Sequence, residues 1–179
     1  MHYLQDLAQP FHSVQILNFK MVPWYELLAW PPKKGFDRLV QETTRIVTNY
    51  HWAYEDYIQF QISLGNNSAF RECLTFPEKF SSLKMNSATQ TPEEMALEVV
   101  DSSIDLAAKL GPLLFDFFGS QLTEPGINLS LHPEMLNYKD YSIRPDLLEA
   151  RQKLHSVTCE CLANAALGSR SLLEWALQP

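Results

Sequence analysis

Apolar side chains recur every three to four residues along most of this chain, which is the spacing of an amphipathic α-helix. The clearest stretch predicts a helix from about Asp37 to Leu64, and the Gly65-Asn66-Asn67 sequence suits its end. The apolar positions of this helix are Phe36, Leu39, Val40, Ile46, Val47, Tyr50, Tyr54, Ile58 and Ile62.

Residues typical of helix starts and stops predict two further long helices. Thr91, Pro92 and Glu94 indicate a helix start, because they supply a capping threonine, a proline in the first turn and a glutamate three residues after the cap. Another helix is predicted over residues 145–167, and Gly168 is predicted to separate it from a short C-terminal helix.

Other segments interrupt the helical pattern. Residues 1–9 are predicted to end a helix that Pro10 terminates or kinks. Residues 19–35 and 119–144 are rich in helix-breaking residues and are predicted to be long loops or insertions. No strand or hairpin pattern is visible, so the chain is predicted to be all-α, with a single multi-helix domain over residues 1–179.

Composition and charge narrow the classes of function. The chain has 179 residues, is 46% hydrophobic and carries a formal net charge of −7. An acidic surface offers no basic groove, so we expect no long nucleic acid to be bound by charge. The sequence shows no transmembrane segment and no signal peptide, and its three cysteines do not suggest a disulfide framework.

Two pairs of residues have the spacing of metal ligands. His2 and Asp6 are four apart, so on a helix they share one face, although an ordinary solvated polar face explains the pair as well. His51 and Glu55 repeat the spacing and fall on the apolar stripe, where we expect them to be buried. Buried ionisable groups need a partner, which is either a mutual hydrogen bond or a metal.

A histidine and a carboxylate on each of two helices match the way helical bundles build metal sites. With His12, three imidazoles and two carboxylates are available, and this donor set favours zinc over manganese or iron. His132, and His155 with Cys159, have no such ligand set around them in the sequence and are not expected to bind metal.

The two candidate segments also resemble a known family. Residues 2–12 read H-Y-L-Q-D-L-A-Q-P-F-H and resemble the H-Y-x-x-D-x-x-Q-P-x-H signature of the zinc-dependent phospholipase C / S1–P1 nuclease superfamily. Residues 51–55 read H-W-A-Y-E and resemble the next element of that family, which is H-x-x-x-E in the phospholipase branch and H-x-x-x-D in the nuclease branch.

The resemblance implies an all-α fold with up to three zinc ions, which activate water to attack a phosphodiester. By position it implies that His12, His51 and Glu55 hold one zinc, that His2 binds a second, and that Asp6 bridges two metals and is thereby catalytic. The implied substrate is a small phosphoester, a phospholipid or a short nucleic acid. Members of the family are usually secreted or periplasmic.

The family's remaining ligands come from upstream of this signature. Only one complete zinc site is therefore expected here, as in a fragment of a longer hydrolase or in a degenerate relative. The alternatives are a catalytically incomplete helical domain that keeps one zinc, and an interaction module that uses the aromatic 19–35 segment. The aromatic residues Trp24, Tyr25 and Trp30 could line a cleft, whereas Trp52 is expected to pack in the core.

Overall fold

The computed structural model describes the backbone of residues 2–178 and the side chains of residues 5–178. Within this range the protein is helical and contains no strand, which confirms the all-α prediction. The α-helices are α1 (His2–Leu7), α2 (Pro10–Ser13), α3 (Pro32–Ser63), α4 (Arg71–Thr75), α5 (Pro92–Phe118), α6 (Tyr138–Ile143) and α7 (Leu148–Ala176). None of these helices has the length and hydropathy needed to cross a membrane.

Short 3-10 helices fill much of the chain between the α-helices. They are Phe19–Met21, Trp24–Leu28, Gly65–Asn67, Pro77–Lys79, Ser120–Thr123, Pro133–Met135 and Pro145–Leu147. The segments predicted as loops over 19–35 and 119–144 therefore contain short helices, and α3 already begins at Pro32. An early start is possible because proline is well tolerated in the first turn of a helix.

Gly35 lies inside this first turn of α3 for a steric reason. A Cβ atom at this position would stand 2.7 Å from the carbonyl oxygen of Glu26 and 3.1 Å from that of Ala29. Since both neighbours are backbone atoms, a larger residue would displace the preceding segment. Gly35 therefore allows the chain just before α3 to pack directly against the helix.

The capping residues predicted the start of α5 correctly, whereas the break predicted at Gly168 is not present in α7. The Thr91 amide donates to Glu94 Oε2 at 2.7 Å and the Glu94 amide donates to Thr91 Oγ1 at 3.3 Å, which is the predicted capping box of α5. The predicted break at Gly168 is wrong, because α7 continues through it to Ala176. Gly168 is buried, and tertiary packing of a helix outweighs the roughly 1 kcal/mol propensity cost of one glycine.

The chain forms two compact units. The first unit comprises Met1–Ile16, Gln61–Leu110 and Gln152–Pro179, and the second comprises Leu17–Phe60 and Gly111–Arg151. In the first unit, Ala8 and Val99 are buried together, and the partly buried side chains packed against them are Leu7, Leu83, Met85, Ala96, Ala165 and Leu172.

The second unit has an aromatic core. The ring of Tyr57 lies 5.0 Å from that of Phe117, and Phe118 contacts both Phe117 at 4.9 Å and Tyr141 at 5.3 Å, measured between ring centroids. Offset and edge-to-face ring pairs of this kind stabilise a core beyond their buried area. The Tyr50 hydroxyl donates to the Gly119 carbonyl at 2.7 Å and so fixes the start of the loop that follows α5.

Asn49 ties this loop to α3. Its side chain is fully buried, and its amide donates to the carbonyl oxygens of Leu122 at 3.0 Å and Ile127 at 2.9 Å. Its own oxygen accepts from the amide of Leu129 at 3.0 Å. One side chain thus provides hydrogen-bond partners for three backbone groups of a segment that has little regular structure.

We expect Asn49→Ala to lower the free energy of unfolding by about 3 kcal/mol, because buried backbone groups lose their hydrogen-bond partners. Urea denaturation followed by circular dichroism measures this change. Asn137→Ala is the matched control, since Asn137 is exposed and its amide bonds only to Asp140 at 3.0 Å. Equal losses in the two variants would contradict the assigned role of Asn49.

Three tyrosines of the second unit predict that the stability of the fold depends on pH. Burial raises the pKa of Tyr50, of Tyr138 and of Tyr141 above the usual range, and the negative charge of Asp56 adds to the effect at Tyr138. A raised folded-state pKa means that the unfolded chain releases these protons first as the pH rises. The corresponding stability is present below about pH 10 and is lost progressively above it.

We therefore expect urea midpoints to be constant below about pH 10 and to fall above it. Tyr138→Phe should make the fall less steep, because it removes one of the groups responsible. The tyrosinate absorbance that comes from these three tyrosines should appear only as the helix signal is lost. A complete tyrosinate transition in a chain that keeps its helix signal would disprove this assignment.

Candidate functional site

Helix α3 brings His51 and Glu55 together. Because residues four apart share one face of a helix, His51 Nε2 and Glu55 Oε1 lie 3.0 Å apart. Their side chains are 29% and 32% exposed, so the prediction that both are buried is corrected to half-buried. His51 Nε2 itself is buried, whereas other parts of the two side chains reach the surface.

The segment before α3 positions His12 through a tight local turn. Gln9 caps α2, since its side-chain oxygen accepts from the Phe11 amide at 3.1 Å, and Pro10 occupies the first position of the helix. The Ser13 hydroxyl donates to the Leu7 carbonyl at 2.6 Å and ties α2 back to α1. Pro10 was predicted to end or kink the first helix. In the structure it also begins a new helix, α2, shortly after α1 ends.

This turn also places His12 beside Asp6. The distance from His12 Nδ1 to Asp6 Oδ1 is 3.7 Å, which is longer than a hydrogen bond but within reach of a shared cation. Both side chains are more than a third exposed. The side chain of His2, the other predicted ligand of this segment, lies outside the part of the chain whose side chains are described.

The predicted ligands are divided between the two compact units. Asp6 and His12 lie together in the first unit, and His51 and Glu55 lie together in the second. Each unit therefore presents one histidine and one carboxylate that are close enough to share a metal ion.

The donor atoms suit zinc in type and spacing. Two imidazole nitrogens and one carboxylate oxygen are common zinc ligands, and two such ligands on one tetrahedral zinc lie about 3.3 Å apart. The 3.0 Å separation of His51 and Glu55 is close to that value. The three protein ligands that the resemblance implies would leave the fourth tetrahedral position open for water or substrate, which is typical of catalytic zinc sites and not of structural ones.

Two residues next to the site were missed or misjudged from the sequence. Trp52 was expected in the core, but it is 41% exposed and its ring lies 6.4 Å from that of His51. Asp56 was not singled out, yet it follows Glu55 and accepts a 3.2 Å hydrogen bond from the Tyr138 hydroxyl. No local signal pairs Asp56 with a tyrosine 82 residues away, because only the folded loop brings them together.

The remaining candidate side chains have other contacts. His132 is exposed in its loop and lies 3.2 Å from Glu134 Oε1, and the ring of His155 contacts that of Phe70 at 5.1 Å. All three cysteines are buried, and no disulfide joins them. A hydrogen bond between Cys73 and Cys159 lowers the pKa of the Cys73 thiol and, together with burial, raises that of Cys159.

Comparison with known proteins adds no family to this geometry. No family model matches the chain, and no curated protein or solved structure matches it significantly. The assignment of a function therefore depends on the residues themselves.

Proposed function

We propose that this protein is a zinc-dependent phosphoester hydrolase of the phospholipase C or S1–P1 nuclease type. The proposal is carried by one observation: His51 and Glu55, which the sequence signature singles out, lie 3.0 Å apart on one face of α3. The all-α architecture is consistent with it. The order and spacing of the two motifs also support it.

In this proposal, which follows the resemblance, His12, His51 and Glu55 would hold one zinc ion, His2 would bind a second, and Asp6 would bridge two metals. Asp6 lies 3.7 Å from His12, so both side chains could serve the same metal cluster. The chemistry that zinc supplies when bound is polarisation of a phosphoryl oxygen and formation of hydroxide from water near neutral pH.

The side chains around the ligands have supporting roles. Gln9 caps α2 and thereby fixes the backbone that presents His12. Glu55 fixes the ring orientation of His51 through their close contact, and ligands held in place in this way need little rearrangement when metal binds. Trp52 presents a half-exposed apolar face beside His51, where it can contact the organic group of a phosphoester.

The net charge of the chain explains why a metal would be needed. With 21 acidic and 14 basic residues, the protein would repel a phosphodiester at most of its surface. Bound divalent cations reverse that sign locally, and therefore replace the arginine and lysine clamps of other phosphate-binding sites. The competing candidate is a helical domain that keeps one zinc for stability alone, against which the open fourth ligand position counts.

We expect the purified chain to contain at least about one zinc ion, and His51→Ala to lose it, because two protein ligands hold zinc too weakly. Metal content is measured by inductively coupled plasma mass spectrometry after dialysis. His132→Ala is the matched control, since this histidine lies in an exposed loop beside Glu134 and should leave the content unchanged. A folded wild-type chain without zinc, even after zinc is added, would rule out the site.

Hydrolysis of bis(p-nitrophenyl) phosphate by the zinc-loaded chain tests the reaction. Replacing even an outer-shell partner of a metal site costs 10- to 100-fold, so we expect Glu55→Gln to lower kcat/KM by at least about 100-fold. Glu134→Gln serves as the control because this glutamate is exposed and contacts His132 only in its own loop. Zinc bound without any hydrolysis would favour the structural-zinc alternative.

A further inference from the structure

An aromatic surface covers the segment that leads into α3. Phe19, Leu28 and Trp30 are 81%, 88% and 86% exposed, and half-exposed Trp24 and Tyr25 lie between them. Phe36, in the first turn of α3, is also exposed. We call residues 19–36 the aromatic segment. Soluble proteins rarely expose so many large apolar side chains in one stretch, and such patches mark binding surfaces.

The aromatic segment is ordered, so its exposure does not come from an unfolded loop. Two 3-10 helices shape it, and the rings of Phe19 and Trp24 stack at 6.0 Å. Met21 anchors it in the interior, and Gly35 allows its backbone to pack against α3. The apolar side chains are therefore presented on a fixed support, which lowers the entropy cost of binding.

The charge of this surface is opposite to that of the whole chain. Residues 19–38 contain four basic and two acidic side chains, a net charge of +2, against −7 for the protein. The basic residues are Lys20, Lys33, Lys34 and Arg38. Lys20 lies 3.4 Å from Asp116, whereas Lys33 and Lys34 are exposed at the start of α3, next to Trp30. Cationic and aromatic side chains thus alternate on one stretch of surface.

We propose that the aromatic segment binds the surface of an anionic phospholipid bilayer. Tryptophan and phenylalanine prefer the boundary between headgroups and acyl chains, and adjacent lysines are attracted to anionic headgroups. The exposed Leu28 and Trp30 insert at this boundary, and Lys33 and Lys34 remain at the level of the phosphates. This interaction requires neither zinc nor catalysis. If the proposed hydrolase activity is also present, the interaction identifies the substrate class as phospholipid.

Sedimentation with vesicles tests this inference. The probes are sucrose-loaded vesicles of phosphatidylcholine alone and of phosphatidylcholine with roughly 30% phosphatidylserine. We expect the protein to sediment with the anionic vesicles, less so at high salt, and only weakly with the neutral ones. Protein treated with chelator should bind equally well, so a failure of the zinc proposal would not be mistaken for a failure of this one.

Matched variants separate the aromatic segment from general surface effects. We expect Leu28→Ser, Trp30→Ala and the pair Lys33→Glu and Lys34→Glu each to weaken vesicle binding by about fivefold or more. The controls are Leu177→Ser, Trp175→Ala and the pair Lys109→Glu and Lys139→Glu, which make the same chemical changes at exposed or half-exposed positions elsewhere. Circular dichroism of every variant establishes that it is folded.

Three outcomes would overturn the inference. The first is that the folded wild type does not bind anionic vesicles. The second is that the controls weaken binding as much as the aromatic-segment variants do. The third is a concentration-dependent dimer without vesicles that Leu28→Ser converts to monomer, because the surface would then belong to a contact between two copies of the chain.

Discussion

The regular hydrogen bonding of α3 is the constraint on which the second unit and the candidate ligands depend. This one helix carries Gly35, Asn49, His51 and Glu55 in a fixed geometry. The backbone of the aromatic segment packs against Gly35, and the Asn49 side chain hydrogen-bonds to the loop after α5. His51 and Glu55 lie side by side as candidate metal ligands. Because the helix is continuous, these features cannot move independently of one another along it.

The parts of the structure that were predictable from the sequence are those that nearby residues determine. Thr91 and Glu94 form a capping box because they are three residues apart, whatever the rest of the chain does. The closeness of His51 and Glu55 follows in the same way from four-residue spacing on a helix.

The parts that were not predictable depend on contacts between distant residues. Gly168 is a weak helix former, but its burial keeps it inside α7. Trp52 stands next to an apolar stripe, yet its exposure depends on which groups the fold brings to that side of α3. The burial of His51 and Glu55 was overestimated for the same reason, since a stripe read from the sequence has no sharp edge.

The geometry of α3 also bears on the choice of substrate. The aromatic segment follows this helix: its backbone packs on Gly35 at one end, and near the other Lys20 lies over the ring of Phe115, which stacks on Tyr50. Gly35 and Tyr50 are about 22 Å apart along the helix at 1.5 Å per residue. This distance is far too large for a side chain beside Gly35 to stack on a base attached to a phosphate near His51.

A phospholipid bilayer is extended on this scale, whereas a nucleotide is not. A membrane that contacts Leu28 and Trp30 is much wider than the roughly 22 Å between Gly35 and Tyr50, so its headgroups are not confined to the first turns of α3. The positive charge of the aromatic segment would hold an anionic surface there despite the negative charge of the whole chain. A membrane-binding aromatic segment would therefore favour the phospholipid branch of the proposed function over the nuclease branch, on grounds independent of whether residue 55 is glutamate or aspartate.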